Sequence, residues 1–176
     1  SLALAALMGG LTAAPVAHAQ ERIGDFQYTP RVDAIMDTDE SSIFVVESEP
    51  TILRRAQLRW RCDTSEDIEL FVSVDAFLNS GASVPVVWRF DRNAPSPPSS
   101  WSVSTNGTAA FAPREDVVQF TLDALPADQV LIRVTDYRGV ETDLAFSLTG
   151  LTLALRLLSC GDLATAEINE DLPPPP

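Results

Sequence analysis

The chain has 176 residues, with 25 acidic side chains against 12 basic ones and a formal net charge of -13. That balance disfavours nucleic acids and anionic membranes as partners, because both are held by basic patches. At 45% hydrophobic, the chain is too apolar to be disordered throughout.

Leu2 to Val16 is an apolar run that ends in Ala17-His18-Ala19, followed by Gln20. Small residues at the last and third-last positions of such a run are the pattern of a secretory signal peptide. Residues 1–19 are therefore read as a leader, cut short at its N-terminus because it lacks Met and a basic start. Cleavage after Ala19 leaves residues 20–176 and no membrane-inserted segment. It also removes His18, the only histidine. Without imidazole, Ser-His-Asp and Cys-His catalysis and His-based metal sites are excluded. All 12 basic residues are Arg, which excludes Lys-based covalent chemistry. No cofactor is implied.

Two cysteines, Cys62 and Cys160, remain. An even count in an exported chain favours a disulfide between them. The competing reading, two free thiols for redox or metal work, lacks the C-x-x-C spacing. A bridge closing a loop of nearly 100 residues stabilises by roughly 4–5 kcal/mol in the chain-entropy model.

Gln20 to Glu40 is polar and acidic and reads as an extended arm or a first irregular strand. Ile43 to Val46 is a short β-branched and aromatic run, broken at Glu49-Pro50. Ala56, Leu58, Trp60 and Cys62 alternate with Gln57, Arg59 and Arg61, which predicts a half-buried strand with Cys62 on its inner face. Asp63 to Asp67 reads as a turn. Ile68, Leu70, Val72 and Val74 form the returning strand of a hairpin. Asn79-Ser80-Gly81 marks a loop. Val84 to Phe90 is a strand with Pro85 near its start. Arg92 to Ser100, with Pro95, Pro97 and Pro98, reads as a mobile surface loop. Trp101 to Ser104 and Thr108 to Phe111 flank Asn106-Gly107, a hairpin signal. Glu115 to Ala124 fits a helix or a strand equally well. Val130 to Val134 and the alternating stretch Val140 to Leu148 form another hairpin around Asp136-Tyr137-Arg138-Gly139. Leu148, Leu151, Leu155 and Leu158 then switch to helical spacing. A helix is expected over Leu151 to Ser159, with Gly161 as its C-terminal cap. Asp162 to Pro176 is acidic, ends in four prolines and is expected to be a disordered tail.

The fold expected is mainly β: an antiparallel sandwich of about eight short strands with one C-terminal helix, in a single domain over residues 20–161.

The order of Asp33 to Asp39, Leu58-Arg59-Trp60-Arg61-Cys62, Val87-Trp88-Arg89-Phe90-Asp91, Trp101-Ser102-Val103-Ser104 and Phe146 to Leu151 with Cys160 resembles the VasI family of type VI secretion-associated proteins. The resemblance spans residues 25–160. It implies an exported, disulfide-bonded accessory domain of a Gram-negative envelope, with no catalytic residue to carry over. The proline-rich loop and the proline tail have no counterpart in that pattern.

Three features could carry binding. Arg89 and Asp91 flank Phe90 and would point the same way on a strand, forming either a pocket for a carboxylate or phosphate or a structural ion pair, the second being favoured. Trp60, Trp88 and Trp101 could form a binding platform but are more simply core packing. Asp37-Thr38-Asp39-Glu40-Ser41 begins like a calcium loop, yet Ser42 and Ser48 stand where an EF-hand needs Gly and Glu. It is read as a solvated acidic loop. Asn106-Gly107-Thr108 matches a glycosylation sequon and is better read as a turn.

The expectation is a non-catalytic exported accessory or binding protein of the bacterial envelope. Its partner would be a protein of the envelope, with Arg89, Asp91 and Trp101 as candidate contacts. The alternatives are a carboxylate-based glycan hydrolase and a small secreted enzyme inhibitor that uses the Arg92 to Ser100 loop.

Overall fold

Period-two patterning carries most of the architecture. The computed structural model describes residues 21–49, 55–63 and 67–160. The expected leader with His18, the break at Pro50, part of the turn after Cys62, the Gly161 cap and the tail lie outside the described residues.

Ten strands form one antiparallel sheet: β1 (Glu21–Ile23), β2 (Phe26–Thr29), β5 (Ser42–Val46), β6 (Gln57–Cys62), β7 (Ile68–Ser73), β8 (Ser83–Phe90), β9 (Ser99–Val103), β10 (Ala109–Phe111), β11 (Gln129–Thr135) and β12 (Glu141–Ser147). A two-stranded ribbon of β3 (Val32–Asp33) and β4 (Thr38–Asp39) stands apart from it. The described residues also form helices α1 (Arg114–Ala124) and α2 (Leu151–Leu155).

The sheet order is β1-β2-β5-β6-β7-β10-β9-β8-β11-β12. Although β5 and β12 are far apart in that order, the Ser48 N–H just past β5 donates to the Ala145 carbonyl of β12 at 2.8 Å. The sheet therefore curls back on itself. Strand β2 takes the first part of that edge of β5, from Ser42 to Phe44, and β12 arrives beyond it.

Curling explains why the inward residues of so many strands share one core. Leu58, Trp60 and Cys62 of β6 meet Val84 and Val86 of β8, Ile132 of β11 and Leu144 of β12. Helix α1 fills the concave side. Its buried residues Val117, Phe120, Thr121 and Ala124 fall on one helical face. The Phe120 ring centroid lies 5.0 Å from Phe90, 5.5 Å from Trp88, 6.1 Å from Trp60 and 6.4 Å from Trp101. Glu115 and Asp116 sit in the first turn, where carboxylates favour the positive end of the helix dipole.

The outer face carries a second row in cross-strand register: Phe44, Arg59, Phe71 and Phe111. The Arg59 guanidinium lies 4.4 Å from the Phe44 ring centroid, and Phe71 stacks on Phe111 at 4.6 Å. Burial, with the nearby Arg61 charge adding to it, pushes the Arg59 guanidinium down from its ordinary value.

Several expectations need correction. The class is mainly β as expected, but among the described residues the strands form one ten-stranded antiparallel sheet and a two-stranded ribbon, more strands than the eight expected. The stretch expected as an extended arm or a first irregular strand holds four short strands, β1 to β4, each of two to four residues. The segment left open between helix and strand is α1, a second helix. Helix α2 is a short piece ending at Leu155, followed by tight turns in which Leu157 and Leu158 donate to Ala154 and Leu155. The loop after Phe90 is tethered: the Ser96 N–H donates to the Trp88 carbonyl at 2.8 Å, and the Trp88 N–H donates to Ser96 Oγ at 3.0 Å.

Candidate functional site

Strands β8, β11 and β12 turn alternate residues outward, and register decides which of them meet. Arg89 pairs with Leu131, Val87 with Arg133, and Arg133 with Asp143. The tethered loop puts Pro95 and Pro98 beside this surface. The result is an open groove of about 470 Å³, with Val87 and Leu131 among its apolar lining and Arg89 and Arg133 among its polar lining.

The two arginines differ. Arg133 is saturated: its Nε and Nη2 reach the Asp143 carboxylate at 2.6 and 2.7 Å, and its Nη1 reaches Glu141 at 3.1 Å. Hydrogen bonding to Asp143, with the charges of Asp143 and Glu141, pushes the Arg133 guanidinium up, and the same hydrogen bonding holds Asp143 below the usual carboxylate range. Arg89 is exposed and, among the described residues, makes no ion pair or side-chain hydrogen bond. It is the free cation of the groove.

Asp91 does not join it. Strand β8 ends at Phe90, and Asp91 turns into the left-handed region at φ 48°. Its carboxylate accepts the backbone N–H of Asp128 at 3.2 Å and of Gln129 at 3.0 Å. It fixes the start of β11, so among the described residues neither the favoured Arg89–Asp91 ion pair nor the ligand pocket forms, and Asp91 is a turn cap beside a separate arginine. Trp101 is fully buried against Trp88 and Phe120, so it offers no surface to a partner. Its Nε1 has no hydrogen-bond partner among the described residues. Trp60, also buried, donates from Nε1 to Thr121 Oγ1 at 2.9 Å.

Cys62 and Cys160 form the expected disulfide, with Cα atoms 5.6 Å apart and a sequence separation of 98. It ties the segment after α2 to β6. Asp39 of β4 stands beside it, with Oδ2 3.6 Å from Cys62 Sγ. Asp39 also accepts from the Ser41 N–H at 2.7 Å and from the Ser159 hydroxyl. Burial works to raise its pKa, but the hydrogen bonds from Ser159 and Ser41 win and hold it below the ordinary value. The acidic segment is thus a hairpin whose Asp39 is committed to the disulfide region. A second concavity near Cys62, of about 380 Å³, has its charges paired internally, Arg31 with Glu40 and Arg61 with Glu69.

Sequence reasoning missed Val87, Leu131 and Arg133 as groove residues. Each looks like ordinary strand patterning until the β8–β11 register brings positions more than 40 residues apart side by side.

No protein-family model matches the chain, and no curated protein matches it. Among solved structures, invasion associated protein B from Bartonella henselae is similar, with a TM-score of 0.55 and 11% sequence identity over 80% of this chain and 94% of that one. At that identity the likeness is one of fold, and the chain shares the fold of that protein.

Proposed function

We propose that the chain is a non-catalytic, exported binding or accessory protein of the bacterial envelope that captures a protein partner in the groove at Arg89. The link to type VI secretion rests on the VasI resemblance. The carrying observation is the groove itself: an apolar floor, a tethered proline wall and one arginine without a carboxylate. An unpaired guanidinium beside apolar surface favours a segment that carries both a carboxylate and an aliphatic side chain. The Cys62–Cys160 bridge supports an oxidising compartment. The curled sheet, whose halves face each other across one core, supplies a rigid platform of the kind a sandwich would.

The hydrolase reading draws less support. A glycosidase needs two carboxylates free to act on a bound sugar, whereas the two carboxylates lining the groove, Asp143 and Glu141, are both engaged by Arg133. The inhibitor reading asks the loop after Phe90 to act alone, but its prolines form the groove wall.

A photo-crosslinking residue at Leu131, in cells that export the chain, tests the proposal. One discrete adduct is expected, lost when Arg89 is changed to Glu and absent when the same probe sits at exposed Val118. No adduct at Leu131, or adducts indifferent to Arg89, would sink it.

A further inference from the structure

The β3–β4 ribbon projects an apolar tip. Ile35 is 91% exposed and Met36 67%. Soluble proteins seldom leave two large aliphatic side chains adjacent and bare unless the patch is used. The tip is also pre-shaped. Asp33 Oδ1 accepts the N–H groups of Ile35 at 2.7 Å and Met36 at 2.9 Å, and the Asp33 carbonyl accepts the Asp37 N–H at 2.8 Å. These backbone bonds hold the Asp33 carboxyl below its ordinary range. Docking would freeze little extra backbone.

We propose that this tip seats in the Arg89 groove of a second copy of the chain. The proposal rests on the groove reading above and specifies one occupant for it. Both surfaces belong to this molecule and match in kind. Ile35 and Met36 offer two aliphatic side chains to a floor that includes Val87 and Leu131. Asp37, next to Met36 at φ 55°, has a carboxylate with no partner among the described residues, and Arg89 is the guanidinium without one. Tip-to-groove contact pairs these two charges. Because the two surfaces differ, one contact leaves the pair with one free tip and one free groove, so assembly continues into open chains or rings unless two copies exchange tips reciprocally about a two-fold axis. The net charge of -13 on each copy opposes assembly at low salt, so association strengthens as salt first screens this repulsion.

Sedimentation velocity on the processed chain, over a concentration series up to about 1 mM, tests this. Concentration-dependent assembly is expected. It should weaken at least tenfold in the tip variant Ile35→Glu/Met36→Glu and in the groove variant Arg89→Glu, with melting curves showing that each stays folded. A mixture of the two variants should form a 1:1 dimer, since one intact groove meets one intact tip. Asp37→Arg combined with Arg89→Glu should regain assembly. A wild-type chain that is monomeric throughout, variants that assemble like wild type, or a mixture that stays monomeric would overturn the proposal. If the wild-type chain is monomeric while the Leu131 probe still captures a different protein, self-docking falls and the groove reading stands. If the probe captures nothing either, both fall.

Discussion

Gly24 and Gly150 stand back to back, each in the left-handed region at φ 59° and 91°. Gly24 makes the turn from β1 to β2, and Gly150 precedes α2. A Cβ on Gly24 would lie 2.3 Å from the Thr149 carbonyl oxygen, and one on Gly150 would lie 2.5 Å from that of Ile23. The Asp25 N–H donates to the same Thr149 carbonyl at 3.0 Å, which locks the two turns together. The obstacle at both sites is backbone, which cannot swing aside.

Gly24→Ala or Gly150→Ala should therefore cost more than the usual glycine penalty. Left-handed backbone costs about 1–2 kcal/mol for an L-residue, and overpacking adds about 1–3 kcal/mol. Thermal melting should show a fall in Tm of roughly 5–15 °C for either variant. The double variant should cost less than the sum, because the first displacement relieves the second. Single variants melting within a degree of wild type would show that the contact is loose.

The two buried tryptophans make opposite predictions. Thr121 Oγ1 accepts from Trp60 Nε1 and donates to the Val117 carbonyl at 2.6 Å. Thr121→Val keeps the shape but strands the Trp60 N–H, so it should cost about 1–3 kcal/mol. Trp101 has no such bond to lose, so Trp101→Phe should cost only its packing. Trp101→Ala should lose about 3–5 kcal/mol, and any partner binding it abolishes reports unfolding. Arg89→Ala, at an exposed site, should leave stability within about 0.5 kcal/mol while weakening capture. Urea denaturation of the four variants separates these cases, and a Trp101→Phe variant less stable than Thr121→Val would reverse the assignment.

Strand patterning was legible where one face is buried. Ala56, Leu58, Trp60 and Cys62 alternate without exception, and all four are fully buried. Helix α1 was not, although Val117, Phe120, Thr121 and Ala124 have helical spacing. A threonine in the inner stripe weakens the pattern, and it belongs there because Trp60 supplies its hydrogen bond. Strands β1 to β4 are too short and polar to show a period. The groove is a product of register, since nothing local links Val87 to Arg133 or Arg89 to Leu131. Trp101 looked available for binding because composition says nothing about which face a tryptophan takes.

The pH dependence of stability follows from the carboxylates. Asp33 is held down by backbone N–H groups of Met36 and Ile35, Asp136 by its hydrogen bond from Arg138, Asp143 by that from Arg133, and Asp39 by Ser159 and Ser41 against the effect of burial. A folded pKa below the unfolded one contributes stability that is present above the unfolded value, near pH 4, and is lost as pH falls through the folded value. These four carboxylates are all ionised from pH 6 to 8, so they add no slope to Tm there. Tm should fall steadily below about pH 4. A stability transition centred near pH 6.5 would contradict this assignment.

The disulfide and Asp39 make a coupled prediction. Replacing both Cys62 and Cys160 by Ser removes a cross-link spanning 98 residues. In the chain-entropy model that lowers stability by roughly 4–5 kcal/mol. Asp39 should act on the rate of reduction rather than on the size of that loss. Its carboxylate lies 3.6 Å from Cys62 Sγ, where it repels an approaching thiolate and disfavours the thiolate that reduction releases. Asp39→Asn keeps an acceptor for Ser41 and Ser159 but removes the charge, so reduction by a small anionic thiol should speed up several-fold. A neutral phosphine reductant should show a smaller change, because it meets less repulsion. Both rates can be followed as thiols released per molecule by mass spectrometry. Equal acceleration with both reagents would mean that the substitution had loosened the segment around Ser159, and no acceleration with either would mean that bond opening is limited by global unfolding.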